Sequence, residues 1–313
     1  MHPIEKWVND LGYEVKRFEV VSDDASYRKY YRLILPDRRT FIIMDSSMQV
    51  ESIYPFIDIS VRLLKQNVHI PRTYAQNLEE GYLLLEDLGN THLIDILNNQ
   101  SYKLLYTKSI HEILKMQKAD TKFLDPYDAE FLMFEMRLMQ EWYLDKFLWI
   151  RLDEEEQKIL DDILELIKDV VLSQPQGYFV HRDFHSRNIM FKRGRVSVID
   201  YQDARVGAIT YDLVSLLKDV YVRFDREKVL ELALEFKALK SELRGVSDEE
   251  FIRWFDFTGI QRHIKILGIF ARLKIRDNKP AYINDIPLTL KYIRETIELY
   301  DELKPLNIIL DKI

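Results

Sequence analysis

The residues best suited to chemistry lie in one run, His181-Arg182-Asp183-Phe184-His185-Ser186-Arg187-Asn188, followed by Val196-Ser197-Val198-Ile199-Asp200. An Asp and an Asn five positions apart on a tight loop can set a carboxylate against an acceptor hydroxyl and an amide oxygen against a metal. A second Asp at the end of an apolar strand then completes a set of hard oxygen ligands of the kind Mg²⁺ takes. Phosphoryl transfer from ATP needs this equipment and little covalent work from the protein. In a chain of this length and composition the pattern H-x-D-x-x-x-x-N would arise by chance about 0.02 times. The plain alternative is a polar turn between two core strands.

The elements that must position this loop can be read outward from it. Tyr178-Phe179-Val180, Ile189-Met190-Phe191 and Val196-Ser197-Val198-Ile199 read as short buried strands, the last two joined at Lys192-Arg193-Gly194-Arg195. Nearer the start, Tyr27 to Leu35 is rich in strand formers, and the turn Pro36-Asp37-Arg38-Arg39 leads into Thr40-Phe41-Ile42-Ile43-Met44. A helix is expected from about Pro55 to Lys65, with Ile57, Val61 and Leu64 on one face. Short strands follow at Arg72–Tyr74 and Tyr82–Glu86, ending at Gly89-Asn90. Beyond Thr91 the pattern is helical, with Asp153 as N-cap of a helix that carries Glu154–Glu156 at its positive end. The implied architecture is α+β: a small strand-rich lobe joined to a large, mostly helical one.

Composition narrows the function classes. The 313 residues carry a net charge of −7 and no cysteine. An acidic chain is a poor general binder of nucleic acid or of anionic membranes, and disulfides, thiolate metal sites and cysteine catalysis are excluded outright. The start, Met1-His2-Pro3-Ile4-Glu5-Lys6, lacks the pattern of a signal peptide. The apolar stretch Ile260 to Leu273 is interrupted by Gln261, Arg262, His263, Lys265 and Arg272, which would be costly in a bilayer. A cytoplasmic protein without nucleic-acid or membrane partners is the expectation.

At these residues the sequence resembles the kinase-like aminoglycoside phosphotransferase superfamily, and within it most closely the bacterial anomeric kinases of N-acetylmuramate and N-acetylglucosamine in cell-wall recycling. The resemblance is carried by Asp24 to Arg32, Leu84-Leu85-Glu86-Asp87-Leu88-Gly89, His181 to Asn188, Ile199-Asp200-Tyr201-Gln202-Asp203-Ala204, Ile209 to Leu217 and Gln261-Arg262-His263-Ile264-Lys265. It implies a protein-kinase-like two-lobed fold, with residues 1–88 as a nucleotide-binding N-lobe and 89–313 as a C-lobe holding the catalytic loop and substrate site. It makes Asp183 the general base and Asn188 and Asp200 the Mg²⁺ ligands, with ATP as co-substrate. Glu86 and Leu88 match the hinge, where main-chain groups meet adenine. Asp212 matches a residue that braces the catalytic loop; a plain helix-opening acid is the other reading.

Two features depart from the wider kinase pattern. Ser22-Asp23-Asp24-Ala25-Ser26 stands where a glycine-rich phosphate loop is expected, and Met44 stands where the third strand usually offers a lysine. The Ser26 hydroxyl and Arg28 are the candidates for the phosphates, with Lys29 pointing to the opposite face if the strand alternates; a solvated strand face is the alternative. On the helix around Ile260 to Leu273, Arg262, Lys265 and Arg272 share an arc of about 80° with Ile269. Buried cations need partners. Arg262 and Lys265 are therefore candidates to bind an anionic acceptor, such as the lactyl carboxylate of N-acetylmuramate, unless acids of the C-lobe pair with them. The competing functional readings are a kinase for an aminoglycoside or another small alcohol, and a nucleotide-binding module without catalysis.

Overall fold

The computed structural model describes residues 3–22 and 28–313. Helix α1 (Pro3–Asp10) precedes an antiparallel sheet of five strands: β1 (Arg17–Ser22), β2 (Lys29–Ile34), β3 (Thr40–Asp45), β4 (Thr73–Asn77) and β5 (Tyr82–Glu86). Their order across the sheet is β1-β2-β3-β5-β4, with α2 (Ile53–Lys65) inserted between β3 and β4. Alternation gives the sheet two apolar faces. Leu33, Ile43 and Leu84 pack under Ile4 and Val8 of α1. Met44, Leu83 and Leu85 belong to the main core, together with Ile53, Phe56, Ile59 and Leu63 of α2.

The buried face of α2 is not the one that carries Ile57, Val61 and Leu64. Val61 and Leu64 are 47% and 45% exposed, and Ile57 is only half-buried. Two apolar stripes run along this helix, and the one containing Phe56 and the shorter Ser60 is the one that meets the sheet and the second lobe. Ser60 shows why that stripe wins, because its hydroxyl is satisfied inside by the Phe56 carbonyl at 2.7 Å and the Tyr201 hydroxyl at 2.8 Å.

The rest of the chain is mostly helical. It contains α3 (Leu93–Ile96), α4 (Tyr102–Met116), α5 (Ala129–Leu138), α6 (Glu154–Ser173), α7 (Tyr211–Leu217), α8 (Arg226–Leu239), α9 (Asp248–Ile275), α10 (Ile286–Ile297) and α11 (Asn307–Leu310). Asp153 caps α6 as expected, in a reciprocal box: it accepts from the Glu156 amide at 2.9 Å, and Glu156 accepts from the Asp153 amide at 3.0 Å. Two hairpin-sized ladders interrupt the helices. Strands β7 (Ile189–Lys192) and β8 (Arg195–Val198) pair with each other, and β6 (Tyr178–Val180) pairs with β9 (Arg205–Gly207). The loops that connect these ladders carry the His181–Asn188 run and Asp200.

Helix α9 is the spine of this lobe, buried on nearly every side from Phe251 to Ala271. It crosses a π-helical segment, Met139–Leu148, so closely that a methyl at Gly268 would overlap the Leu138 carbonyl and the Met139 nitrogen. Glycine is required there by contact and not by backbone angle. Among the described residues, no helix is long and apolar enough to cross a membrane.

Candidate active site

The His181–Asn188 loop is held from below by two buried acids. Asp212, at the start of α7, accepts from the amides of His181 at 2.8 Å and Arg182 at 3.1 Å. That is the bracing role the resemblance implied. Asp219, just beyond the C-terminal end of α7, accepts from the Ser186 amide at 2.9 Å and the Ser186 hydroxyl at 2.5 Å. Asp219 went unnoticed in the sequence, since it lies past the end of α7 where helical spacing gives no signal. Burial raises the Asp212 carboxyl against the bonds that lower it. Two non-glycine residues of the site have left-handed backbone, Arg182 at φ 78° and Asp200 at φ 65°. Such conformations are held only where surrounding structure enforces them, and they cluster at functional sites.

This scaffold brings Asp183, Asn188 and Asp200 to one cavity of about 500 Å³. The Asn188 amide nitrogen donates to the Asp183 carbonyl at 3.0 Å and to Asp200 Oδ2 at 3.3 Å, which leaves the amide oxygen for a metal. Gln202 steadies the other Asp200 oxygen, Oδ1, at 2.9 Å. Among the described residues, no group of three or more His, Cys, Asp or Glu side chains could hold a metal. The pair of Asn188 and Asp200 nevertheless fits Mg²⁺, which characteristically takes one or two protein oxygens and completes its shell with phosphates and water. Arg187 lines the same cavity with its guanidinium 3.6 Å from the Tyr221 ring centre.

Asp183 also opens onto a second cavity, of about 320 Å³, roofed by α9. Burial alone would raise its carboxyl, but Lys265, Arg262 and Arg182 together hold it well below the ordinary range, so it is a carboxylate at neutral pH. His185 is lowered by burial and stays neutral there. Both sequence-derived acceptor residues line this second cavity, yet both already have protein partners. Arg262 donates to the Arg182 carbonyl. Lys265 Nζ lies 2.9 Å from Glu135 Oε1, the same oxygen that takes Arg182 Nη2 at 2.8 Å. Tyr127 donates to the other Glu135 oxygen and meets the Tyr211 hydroxyl at 2.6 Å. Glu135 was not singled out from sequence, although an acid between Phe134 and Met136 in an apolar helix is the mark of a buried charge with a distant partner. His263 is a core histidine, half satisfied: Nε2 lies 3.0 Å from the Lys218 carbonyl and the ring stacks on Tyr292, while Nδ1 is buried without a hydrogen-bond partner.

On the sheet side, Tyr30 of β2 pairs across to Met44 of β3. Residues opposite one another share a face, and Arg28, two positions earlier, shares it by alternation. Arg28 is half-buried and donates to the Ser52 carbonyl at 3.3 Å, whereas Lys29 is exposed. The Tyr30 hydroxyl reports on this corner. Burial pushes it up to about 12, with Arg28 lowering it and Asp200 raising it, so both charges lie within its electrostatic reach. Ser26 lies outside the described residues.

At the hinge, Glu86 ends β5 and its amide is taken by the Arg72 carbonyl at 2.8 Å. Leu88 is buried, and its main-chain N–H and C=O have no protein partner among the described residues. Asp87 between them binds Arg32 through two bonds, at 2.7 and 3.0 Å, and its carbonyl accepts from Lys192. Strand β2, the hinge and β7 are thereby tied together.

Comparisons with known proteins show the family and the fold. The phosphotransferase enzyme family (APH) matches residues 17–247. An N-acetylmuramate/N-acetylglucosamine kinase of Neisseria meningitidis is 35% identical, over 98% of this chain and 94% of its own. A protein of the same name from Pseudomonas aeruginosa is 36% identical over 91% of this chain and 85% of its own. The fold is that of the ADP-bound aminoglycoside phosphotransferase APH(2'')-Ib, with a TM-score of 0.64 at 13% identity over 95% of this chain and 99% of the other. It is also that of the choline kinase LicA from Streptococcus pneumoniae, with a TM-score of 0.63 at 14% identity over 93% of this chain and 98% of the other.

Proposed function

Because this chain belongs to the phosphotransferase enzyme family, we propose that it transfers the γ-phosphoryl group of ATP to the anomeric hydroxyl of an N-acetylated amino sugar, N-acetylmuramate or N-acetylglucosamine. The observation that carries the reading is that Asp183 faces both cavities, one shared with Asn188 and Asp200 and the other lined by cations. The names and near-full-length identity of the Neisseria and Pseudomonas relatives supply the sugar class.

In this reading residues 1–88 form the nucleotide lobe and residues 89–313 the catalytic and acceptor lobe. The main chain of Glu86 and Leu88 takes adenine, and Arg28 and Ser26 attend the phosphates in place of the lysine that Met44 replaces. Asn188 and Asp200 hold Mg²⁺, which when bound neutralises charge on the phosphate oxygens. Asp183 receives the proton of the sugar hydroxyl as its oxygen bonds to the γ-phosphorus and the bond to ADP breaks. Arg262 and Lys265 set the positive field of the acceptor pocket. The site of action is the cytoplasm, where ATP is available.

A polycationic acceptor suits this pocket poorly. Arg182, Arg262, Lys265 and Arg272 all line it; of its three acids Asp183 is engaged by those cations, Asp219 is held by the loop, and only the exposed Asp203 is left facing four cations. An aminoglycoside would be repelled. The test is a transfer assay with ATP and Mg²⁺ against amino sugars, aminoglycosides and choline, with products identified by mass and phosphorus NMR. A sugar 1-phosphate is the expected product. Transfer to aminoglycosides alone, or to a hydroxyl other than the anomeric one, would overturn the reading.

A further inference from the structure

The acceptor cavity separates its cations into two kinds. Arg262 and Lys265 are almost fully buried and are occupied by the Arg182 carbonyl and Glu135. Arg272 is only half-buried, lines the same cavity, and has no carboxylate within salt-bridge distance among the described residues. Its Nε is buried without a hydrogen-bond partner. The nearest local acid, Asp277, is taken by Arg276 through bonds of 2.7 and 2.9 Å. Burial, together with the charge of Arg276, makes the Arg272 cation less favourable than in water. A guanidinium left this way in a cavity wall is a site for an anion, because its planar fork fits a carboxylate.

The geometry points to Arg272 as the residue that binds the carboxylate of an acidic amino sugar, selecting N-acetylmuramate over its neutral counterpart. This rests on the reading of the cavity as the acceptor site. Asp183, against which the anomeric hydroxyl must lie, is flanked by Arg262 and Lys265. Arg272 follows Lys265 by seven residues on the same stripe of α9, about 10 Å along the axis at 1.5 Å per residue. Helical side chains lean toward the N-terminus, so its guanidinium reaches back toward Lys265. In N-acetylmuramate the lactyl group hangs from C3, and its carboxylate lies about 6 Å from the anomeric oxygen, given ~1.5 Å per bond. Asp183 and Arg272 line the same cavity, so one sugar within it can meet both. Ile269 and Phe270 supply apolar lining to that cavity.

The test compares the full-length wild type with Arg272→Met and Arg272→Lys. Binding of N-acetylmuramate, its methyl ester and N-acetylglucosamine is measured by calorimetry, and kcat/KM by coupled assay. The wild type should favour the acid over its ester, and Arg272→Met should erase that preference by about ten- to hundredfold, the range for a charge-assisted hydrogen bond. Arg272→Lys, which keeps the charge and folds if the methionine variant does not, should retain part of it. An acid-to-neutral ratio unchanged within threefold in both variants would overturn the assignment, as would a wild type that binds acid and ester equally. Failure of the wild type to phosphorylate either sugar would instead count against the proposed function, because the binding ratios are read without turnover.

Discussion

Glu135→Gln is the perturbation whose consequence can be worked most directly from the structure. Glu135 is 3% exposed, and its Oε1 lies 2.8 Å from Arg182 and 2.9 Å from Lys265. At an effective dielectric of about 20, each attraction is worth ~6 kcal/mol before desolvation is counted. Burial would raise the Glu135 carboxyl, yet Lys265 and Arg182 hold it below its ordinary value, so the attraction wins. The amide variant leaves two buried cations facing a neutral group. Breaking a buried pair by removing one partner costs about 3–5 kcal/mol. At ~2–4 °C per kcal/mol for large domains, the melting temperature should fall by at least about 6 °C.

Urea unfolding followed by circular dichroism gives the measurement, with Lys265→Met and the double variant closing a cycle. Lys265→Met should cost less than Glu135→Gln, because Arg182 still neutralises the carboxylate. The double variant should be more stable than the sum of the singles. A folded-state carboxyl below its unfolded value contributes stability that is present above the unfolded value, about 4.3, and is lost as pH falls through the folded one. The gap between wild type and Glu135→Gln should therefore hold from pH 5 to 8 and narrow below about pH 4. A Glu135→Gln variant within about 1 kcal/mol of wild type, or a Lys265→Met variant equally costly, would refute the charge balance described here.

Asp183→Asn should lower kcat by about 10²- to 10⁴-fold while leaving nucleotide affinity unchanged; its main-chain carbonyl, which holds Asn188, is retained, and wild-type turnover would remove Asp183 from the mechanism. Arg28→Ala should raise the KM for ATP or lower kcat by about ten- to hundredfold, and Lys29→Ala should do little. The reverse ranking in steady-state kinetics would place the wrong strand face over the nucleotide. Gly268→Ala should destabilise, since overpacking against backbone at the high end of about 1–3 kcal/mol outweighs the ~1 kcal/mol gained in helix propensity. An unchanged urea midpoint would show that α9 and the π-helical segment can part.

That Asp183, Asn188 and Asp200 come together was legible in the sequence because the arrangement is local: one loop and one hairpin fix all three. The strand register was legible for the same reason, and the half-burial of Arg28 beside an exposed Lys29 follows the alternation. Glu135 escaped because its partners are 47 and 130 residues away, at Arg182 and Lys265, and no spacing rule reaches that far. The outward Val61 and Leu64 of α2 mark the same limit. Periodicity finds apolar stripes, and where a helix has two, only tertiary packing selects one.

The charge pattern around Asp183 bears on which hydroxyl the site can use. Three cations, Lys265, Arg262 and Arg182, hold its carboxyl far down, so it binds a proton weakly. A weak base assists poorly with an ordinary alcohol, whose proton leaves only late in the reaction. A hemiacetal hydroxyl is more acidic, because the ring oxygen withdraws electron density from the anomeric carbon. It hands its proton over more readily as the bond to phosphorus forms in a loose transition state. The cations that would position an anionic sugar thus also weaken the base, and an anomeric hydroxyl is better matched to it than an ordinary alcohol. Removing one cation should move both properties together: Lys265→Met would raise the proton affinity of Asp183 and shift the acid limb of the rate profile upward in pH.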